Sequence, residues 1–110
     1  MQVHTEVTIS AAHHLPNYKG KCANVHGHSW KVEVDIEGSI KKGTGMVVDF
    51  STIKDIINKL DHKDLNTIIP NPTAENITMY ILNAIHDLGY FHDVKVKVWE
   101  SATSYACDNY

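Results

Sequence analysis

The chain lacks several features that mark other classes of protein. Its net charge is −3, so it has no excess of basic residues for binding nucleic acid or an anionic membrane surface. Its apolar runs are far shorter than a membrane span, and its first residues have neither the basic start nor the apolar stretch of a secretory signal. Repeats, low-complexity stretches and linkers are absent. We therefore expect a single cytoplasmic domain over residues 1–110 that binds neither nucleic acid nor membrane.

Cysteine is also scarce, with only Cys22 and Cys107 in the sequence. One disulfide bond between them is possible in principle. In a cytosolic chain with histidines close to Cys22, however, a reactive thiol or a metal ligand is the better interpretation of that residue. Cys107, near the C-terminus, is expected to be inert.

Two stretches alternate apolar and polar residues, which predicts half-buried strands over residues 3–13 and 26–36. Three histidines extend the apolar faces of these strands: His13, His26 and His28. His26 and His28 are two residues apart, so both imidazoles project from one side of a strand, and His13 from the neighbouring strand completes three nitrogens. The alternative is three unrelated histidines, but their shared in-facing positions favour a metal site.

Three protein ligands leave one coordination position open, which is typical of a catalytic metal rather than a structural one. Zn²⁺ is favoured because neutral imidazoles bind it and it needs no redox partner. Iron and nickel accept the same ligands. The sequence therefore predicts a zinc site with an open position.

The rest of the chain predicts two helices and two further strands. A helical apolar stripe begins at Asp49, where Asp49 or Ser51 is the capping residue. A second helix is capped by Thr73 and ended by Gly89. The predicted buried positions are Phe50, Ile53, Ile56 or Ile57 and Leu60 in the first helix, and Ile77, Ile81, Ile85 and Leu88 in the second.

Strands are predicted over residues 94–100 and from about residue 103. The fold class is therefore α+β, a four-stranded antiparallel sheet with two helices on one face. Open edges in so small a sheet favour a homo-oligomer that joins copies of the sheet.

Four other residues have side chains suited to catalysis or binding. Cys22 has three interpretations. The first is a fourth metal ligand, which would make the site structural, and the second is a free thiol whose pKa the metal, Lys19 and Lys21 are expected to lower, so that it acts as a general base or nucleophile. The third is an inert thiol in a loop. Asp61 and His62 are either two polar residues that end a helix or the pair needed to fix a tautomer and move a proton. Glu100 stands on an apolar strand face, so its carboxylate needs a cation or a set of N–H donors. A lysine of the chain or a ligand with paired N–H groups could satisfy it.

The chain resembles the 6-pyruvoyl-tetrahydropterin synthase superfamily. Six motifs carry the resemblance in order and spacing: Ser10-Ala11-Ala12-His13, Cys22 through His28, Met46-Val47-Val48-Asp49-Phe50, Leu60-Asp61-His62, Pro72-Thr73-Ala74-Glu75-Asn76 and Glu100-Ser101. The short Cys-x-x-x-His-Gly-His spacing is most similar to the 6-carboxy-tetrahydropterin synthase branch, which makes queuosine precursors.

This resemblance implies a tunnelling fold in which sheets join into a barrel, usually as two trimers stacked into a hexamer. It implies a pterin substrate, 7,8-dihydroneopterin triphosphate, and a lyase reaction. The implied roles are Zn²⁺ binding by His13, His26 and His28, proton abstraction by Cys22, orientation and relay by Asp61 and His62 across a subunit interface, and pterin binding by Glu100 and Thr73.

Some residues depart from the family pattern, and some questions stay open. Ile9 stands where the family usually has Phe, a change of packing, and Cys22 argues against a subgroup with glutamate at that position. Lysines 19, 21 and 31 are the candidates for neutralising a triphosphate, without an obvious cluster. The product is either 6-carboxy- or 6-pyruvoyl-tetrahydropterin, and a non-catalytic, zinc-stabilised binding module is the alternative from another class.

Overall fold

The computed structural model describes all 110 residues. Four strands and two helices make up the fold: β1 (Gln2–His13), β2 (His26–Glu37), α1 (Phe50–Asn58), α2 (Ala74–His86), β3 (Asp93–Ser101) and β4 (Ser104–Asn109). Single 3-10 turns occur at Lys21–Ala23 and Leu65–Thr67.

The strands form one antiparallel sheet in the order β1-β2-β3-β4. Both helices belong to the connection between β2 and β3, and they share one buried core with the inward faces of the strands. No helix covers the opposite face of the sheet, which we call the bare face. The predicted α+β architecture is confirmed, and neither helix is long and apolar enough to cross a membrane.

Alternation places the strand side chains as the sequence predicts. In β2 the side chains of Trp30, Val32, Val34 and Ile36 are buried, each at most 1% exposed. In β3 the valines at 94, 96 and 98 are equally buried. Large and β-branched side chains at every second position therefore fill the layer between sheet and helices.

The helix starts are confirmed, but two predicted core residues are wrong. The Asp49 carboxylate caps α1 by accepting from Ser51 N, and the Thr73 hydroxyl caps α2 by accepting from Asn76 N. Phe50 is 45% exposed and Leu88 is 44% exposed. Phe50 is the first residue of α1, and the buried face of this helix begins only at Ile53 and continues at Ile57. Leu88 follows the end of α2, where the backbone leaves the helical path.

A segment after α1, residues 61–66, is hydrogen bonded along the outer edge of β1. His62 N donates to Ser10 O at 2.7 Å and Ala12 N donates to Lys63 O at 3.0 Å. The Asn66 side chain then accepts from His14 N at 2.9 Å and donates to His14 O at 3.0 Å. This segment, which we call the edge loop, therefore protects the last third of an otherwise open strand edge.

Candidate metal centre

The hairpin of β1 and β2 brings three histidine rings together. His13 and His26 are directly opposite each other in the strand register, and His28 is opposite Ala11. Each of their rings lies within about 5 Å of the other two, with centroid separations of 4.6, 5.1 and 4.7 Å. The His13 ring also packs edge-on against buried Trp30 at 4.9 Å. Strand alternation thus delivers all three imidazoles to the core-facing side.

Hydrogen bonds to carbonyl groups fix the tautomers of two of these histidines. His13 Nδ1 lies 2.7 Å from Pro72 O, and His26 Nδ1 lies 2.6 Å from Asn24 O. A carbonyl oxygen only accepts, so both Nδ1 atoms carry hydrogen, which leaves Nε2 of each ring as the atom available to a metal. A carbonyl behind each ring is the usual outer partner of a metal-binding histidine.

The two Nε2 atoms face each other at 3.1 Å. Two lone pairs at this distance repel unless a cation lies between them. A shared proton would satisfy two nitrogens, but His28 completes a group of three whose ligand atoms all lie within 4.8 Å of one another. Nitrogens on one tetrahedral zinc are about 3.3 Å apart, given bond lengths of about 2.0 to 2.1 Å. A metal ion therefore fits this donor set better than a proton.

His28 has the environment of a metal ligand. Its Nε2 is buried without a hydrogen-bond partner and lies 3.6 Å from Glu100 Oε1. Burial lowers the pKa of His28, and the other two histidines lower it further, whereas Glu100 opposes the shift. The ring is therefore neutral at pH 7, which is the form that coordinates a metal.

Cys22 stands outside the nitrogen cluster. It belongs to the 3-10 turn Lys21–Ala23 and is partly buried, and its sulfur is not among the ligand atoms that converge. The Cys22 carbonyl accepts from Leu15 N at 2.7 Å, which ties its loop to the end of β1. The arrangement favours a free thiol over a fourth ligand.

The structure brings Asp61 and His62 together but does not join them to Cys22. Asp61 Oδ2 lies 3.5 Å from His62 Nε2, while Asp61 Oδ1 accepts from Ser10 N at 2.9 Å. The His62 side chain is 81% exposed, and its backbone φ of +57° lies in the left-handed region, which costs energy for any residue with a Cβ. Neither residue is hydrogen bonded to Cys22 within the chain.

Glu100 and Thr73 occupy different settings. Glu100 falls at an irregularity between β3 and β4, where pairing skips from Trp99 to Ser101. Such bulges redirect side chains, and here the carboxylate approaches His28 without forming an internal pair with a lysine. The Thr73 hydroxyl already accepts from Asn76 N, so the structure gives it a helix-capping contact.

Sequence reasoning missed several residues around the centre. Pro72 supplies the carbonyl behind His13, and Asn66 fixes the edge loop. A cavity of about 600 Å³ lies beside His28 and His62 and is also lined by Ser10, Ala11, Ala12, Gly27, Ser29, Lys63 and Asp64. In the sequence, the only indication of this cavity was the run of small residues at alternating strand positions: Ser10, Ala12, Gly27 and Ser29. The other contacts join segments that are distant in sequence.

The sequence matches the family described as 6-pyruvoyl tetrahydropterin synthase over residues 2–108. The match covers nearly the whole chain. The chain belongs to this family.

Three relatives show the range of names within it. A protein of Archaeoglobus fulgidus, provisionally named 6-carboxy-5,6,7,8-tetrahydropterin synthase, is 41% identical, and the match covers 96% of this chain and 93% of the relative. A Synechocystis protein named 6-carboxy-5,6,7,8-tetrahydropterin synthase is 36% identical, and the match covers 94% of this chain and 89% of the relative. The dihydroneopterin monophosphate aldolase of Pyrococcus furiosus is 42% identical over 69% of this chain and 70% of its own.

A solved structure of the family has the same fold. The 6-pyruvoyl tetrahydropterin synthase of Caenorhabditis elegans superposes with a TM-score of 0.76 at 21% identity, covering 98% of this chain and 94% of that one. The tunnelling fold predicted for the subunit is therefore confirmed.

Proposed function

We propose that this family member is a 6-carboxy-5,6,7,8-tetrahydropterin synthase. It converts 7,8-dihydroneopterin triphosphate to 6-carboxy-tetrahydropterin and releases triphosphate and acetaldehyde. The observation that carries the proposal is the pair of Nε2 atoms of His13 and His26, 3.1 Å apart, with a third imidazole beside them. The names of the Archaeoglobus and Synechocystis relatives support this choice of reaction.

The proposed cofactor is Zn²⁺, held by His13, His26 and His28. When bound, it polarises the substrate's side-chain oxygens and so acidifies the neighbouring C–H and O–H bonds. The three neutral imidazoles contribute no negative charge, so the centre keeps its full positive charge for this purpose.

The remaining site residues are proposed to bind substrate and move protons. Cys22, as thiolate, takes a proton from the substrate side chain. Asp61 and His62 orient and relay that proton, and because His62 is exposed, they serve the Cys22 of a neighbouring copy. Glu100 accepts from the amino and ring N–H groups of the pterin, a role supported by its lack of a lysine partner. Thr73 contributes to the pterin pocket through its backbone, since its hydroxyl caps α2.

The proposal includes an assembly and a cellular role. The exposed His62 beside Asp61 and the open edge of β4 favour a homo-oligomer, which we propose is a hexamer of two trimers. The enzyme is proposed to work in the cytoplasm on queuosine precursors. Sedimentation of the purified protein tests the assembly.

The reaction is tested by incubating the zinc-loaded protein with 7,8-dihydroneopterin triphosphate and analysing products by mass. Cleavage of the side chain after triphosphate loss takes up one water and gives the carboxylate and acetaldehyde. A product that keeps all three side-chain carbons identifies the alternative, 6-pyruvoyl-tetrahydropterin synthase. If neither triphosphate nor a new pterin is released, both enzymatic proposals fail.

The alternative from another class, a zinc-stabilised binding module, requires Cys22 as fourth ligand. The position of its sulfur outside the cluster disfavours it. Zinc bound by four protein ligands would also leave no exchangeable position, so small anions such as azide would not perturb a cobalt-substituted spectrum.

A further inference from the structure

One ligand of the metal centre depends on a distant part of the chain. His13 Nδ1 donates to the carbonyl oxygen of Pro72 at 2.7 Å, across 59 positions of sequence. The corresponding acceptor for His26 is Asn24 O, only two residues away. The hydrogen bond of His26 is therefore local, whereas that of His13 depends on whatever holds the Pro72 carbonyl in place.

Pro72 is the centre of a tight turn at the start of α2. Thr73 N donates to Asn71 O at 2.9 Å, and a hydrogen bond between residues two apart defines a γ-turn. The proline ring holds its own φ at about −65°, close to the value of about −75° that an inverse γ-turn needs. Pro72 is also buried. The turn therefore decides where the Pro72 carbonyl points.

The side chain of Asn76 closes this turn from the first turn of α2. Its amide donates to Asn71 O at 2.8 Å, so that this carbonyl oxygen accepts two hydrogen bonds and has no lone pair left. The backbone N–H of Asn76 also donates to the Thr73 hydroxyl at 3.1 Å. Asn76 is thus bonded to the residues on both sides of Pro72.

Capping of α2 alone does not explain the amide of Asn76. The Thr73 hydroxyl caps the helix through the backbone N–H of residue 76, which every residue except proline supplies. Close to the positive end of the helix dipole, a carboxylate stabilises a helix more than a neutral amide does. The side-chain N–H of Asn76 reaches out of the helix to Asn71, so it stabilises the turn.

We propose that Asn76 is a positioning residue for the metal centre. By fixing the turn at Pro72, it holds the carbonyl group that fixes the tautomer of His13 and aims His13 Nε2 at the metal. Loss of an outer partner of a metal-binding histidine typically weakens metal binding about 10- to 100-fold. The inference rests on the proposed function, because it concerns the same zinc site.

The test measures zinc affinity by competition with a chromophoric chelator in the Asn76→Asp variant. Aspartate has the same shape as asparagine, but its carboxylate cannot donate to Asn71 O. Zinc binding is expected to weaken about tenfold, while Tm of the metal-free protein stays the same or rises, because a carboxylate favours the start of a helix. The added negative charge would by itself attract zinc, so charge cannot produce the expected loss.

Two further variants complete the comparison. Asn76→Ala removes the donor without adding charge, and its zinc affinity is expected to fall as in Asn76→Asp. Asn83→Asp makes the same chemical change at an exposed position later in α2, and it should keep wild-type affinity. Unchanged affinity in both variants of Asn76, or an equal loss in Asn83→Asp, would overturn the proposal and leave the zinc site itself standing.

A metal-free measurement separates this proposal from the proposed cofactor. If the wild-type protein binds no zinc, the cofactor proposal fails, and exchange of the His13 Nδ1 proton with water, followed by NMR, becomes the readout. This exchange is expected to be faster in Asn76→Asp than in wild type or Asn83→Asp, because the acceptor at Pro72 is held less firmly. Equal exchange in the three proteins would show that Asn76 does not position His13.

Discussion

The side-chain amide of Asn66 pairs with the backbone of His14 as a second strand would, accepting from its N–H at 2.9 Å and donating to its carbonyl at 3.0 Å. Asn66→Ala is expected to remove both bonds and destabilise the protein by about 1 to 3 kcal/mol. Hydrogen exchange at Ala12 and His14 should become faster. Asn83→Ala, at an exposed position of α2, provides the control, and equal exchange in the two variants would contradict a role for Asn66 in holding the edge loop.

Removing the metal should loosen the histidine cluster. Without a cation, the Nε2 atoms of His13 and His26 repel each other at 3.1 Å, so chelation is expected to lower Tm, and adding Zn²⁺ back should restore it. His26→Ala should abolish this zinc-dependent shift. His92→Ala, at an exposed position just before β3 and at the opposite end of β2 from His26, should leave the shift intact. If neither the chelator nor added Zn²⁺ changes Tm, the result would argue against a metal centre.

Replacing Cys22 separates its two possible roles. Because its sulfur lies outside the nitrogen cluster, Cys22→Ala is expected to retain one zinc per chain and wild-type Tm within a few degrees, while turnover falls at least about a hundredfold, as for loss of a general base. Metal content is measured by atomic absorption. Loss of zinc in this variant, but not in Cys107→Ala, would assign Cys22 as a ligand.

Two substitutions of His62 separate its backbone strain from the role of its imidazole. Its φ of +57° costs a residue with a Cβ about 1 kcal/mol or more, and glycine avoids that cost. His62→Gly is therefore expected to be more stable than His62→Ala in urea unfolding, by up to about 1 kcal/mol once the entropic cost of glycine is subtracted. Both variants should lose activity alike, because both lack the imidazole. Equal stabilities would mean that the left-handed backbone is relaxed in solution.

His4 should make stability depend on pH. Hydrogen bonds to Glu6 and Asp35, each 2.8 Å, raise the pKa of His4 above its ordinary value of 6.5. Its imidazolium therefore stabilises the fold fully below pH 6.5, and this contribution disappears as pH rises through the raised pKa. Glu33 and Lys31 also face this group. The size should be below about 1 kcal/mol, since the side chain is partly exposed.

The measurement is the difference in free energy of unfolding between wild type and His4→Gln from pH 5.5 to 8.5. The difference should shrink with rising pH. His92→Gln is the control, because exposed His92 makes no ion pair. A difference that grows with pH would show the opposite protonation behaviour for His4.

Local patterns in the sequence predicted most of the fold. Alternation selected His13 over His14 and placed His26 and His28 on the core face, because neighbouring side chains of a strand point in opposite directions. Caps at Asp49 and Thr73 marked the helix starts. The predicted burial of Phe50 and Leu88 was wrong because both residues stand at helix ends, where the helical period no longer decides which side a residue faces.

Long-range contacts account for what the sequence did not reveal. The edge loop meets β1 across about fifty residues, and no periodicity encodes which backbone groups will pair. The contact between the Pro72 carbonyl and His13 likewise joins residues that are distant in sequence. The catalytic roles of Cys22, Asp61, His62 and Glu100 stay predictions, since a partner copy and a substrate are needed to bring them together.

The three candidate ligands all belong to the β1–β2 hairpin, residues 2–37. Their assembly therefore needs no strand from the later part of the chain. During synthesis, this hairpin emerges from the ribosome before either helix does, and hairpins close within microseconds. The nascent chain can thus gather its imidazoles first, and metal capture at that stage would fix the register of β1 against β2 before β3 arrives to complete the sheet.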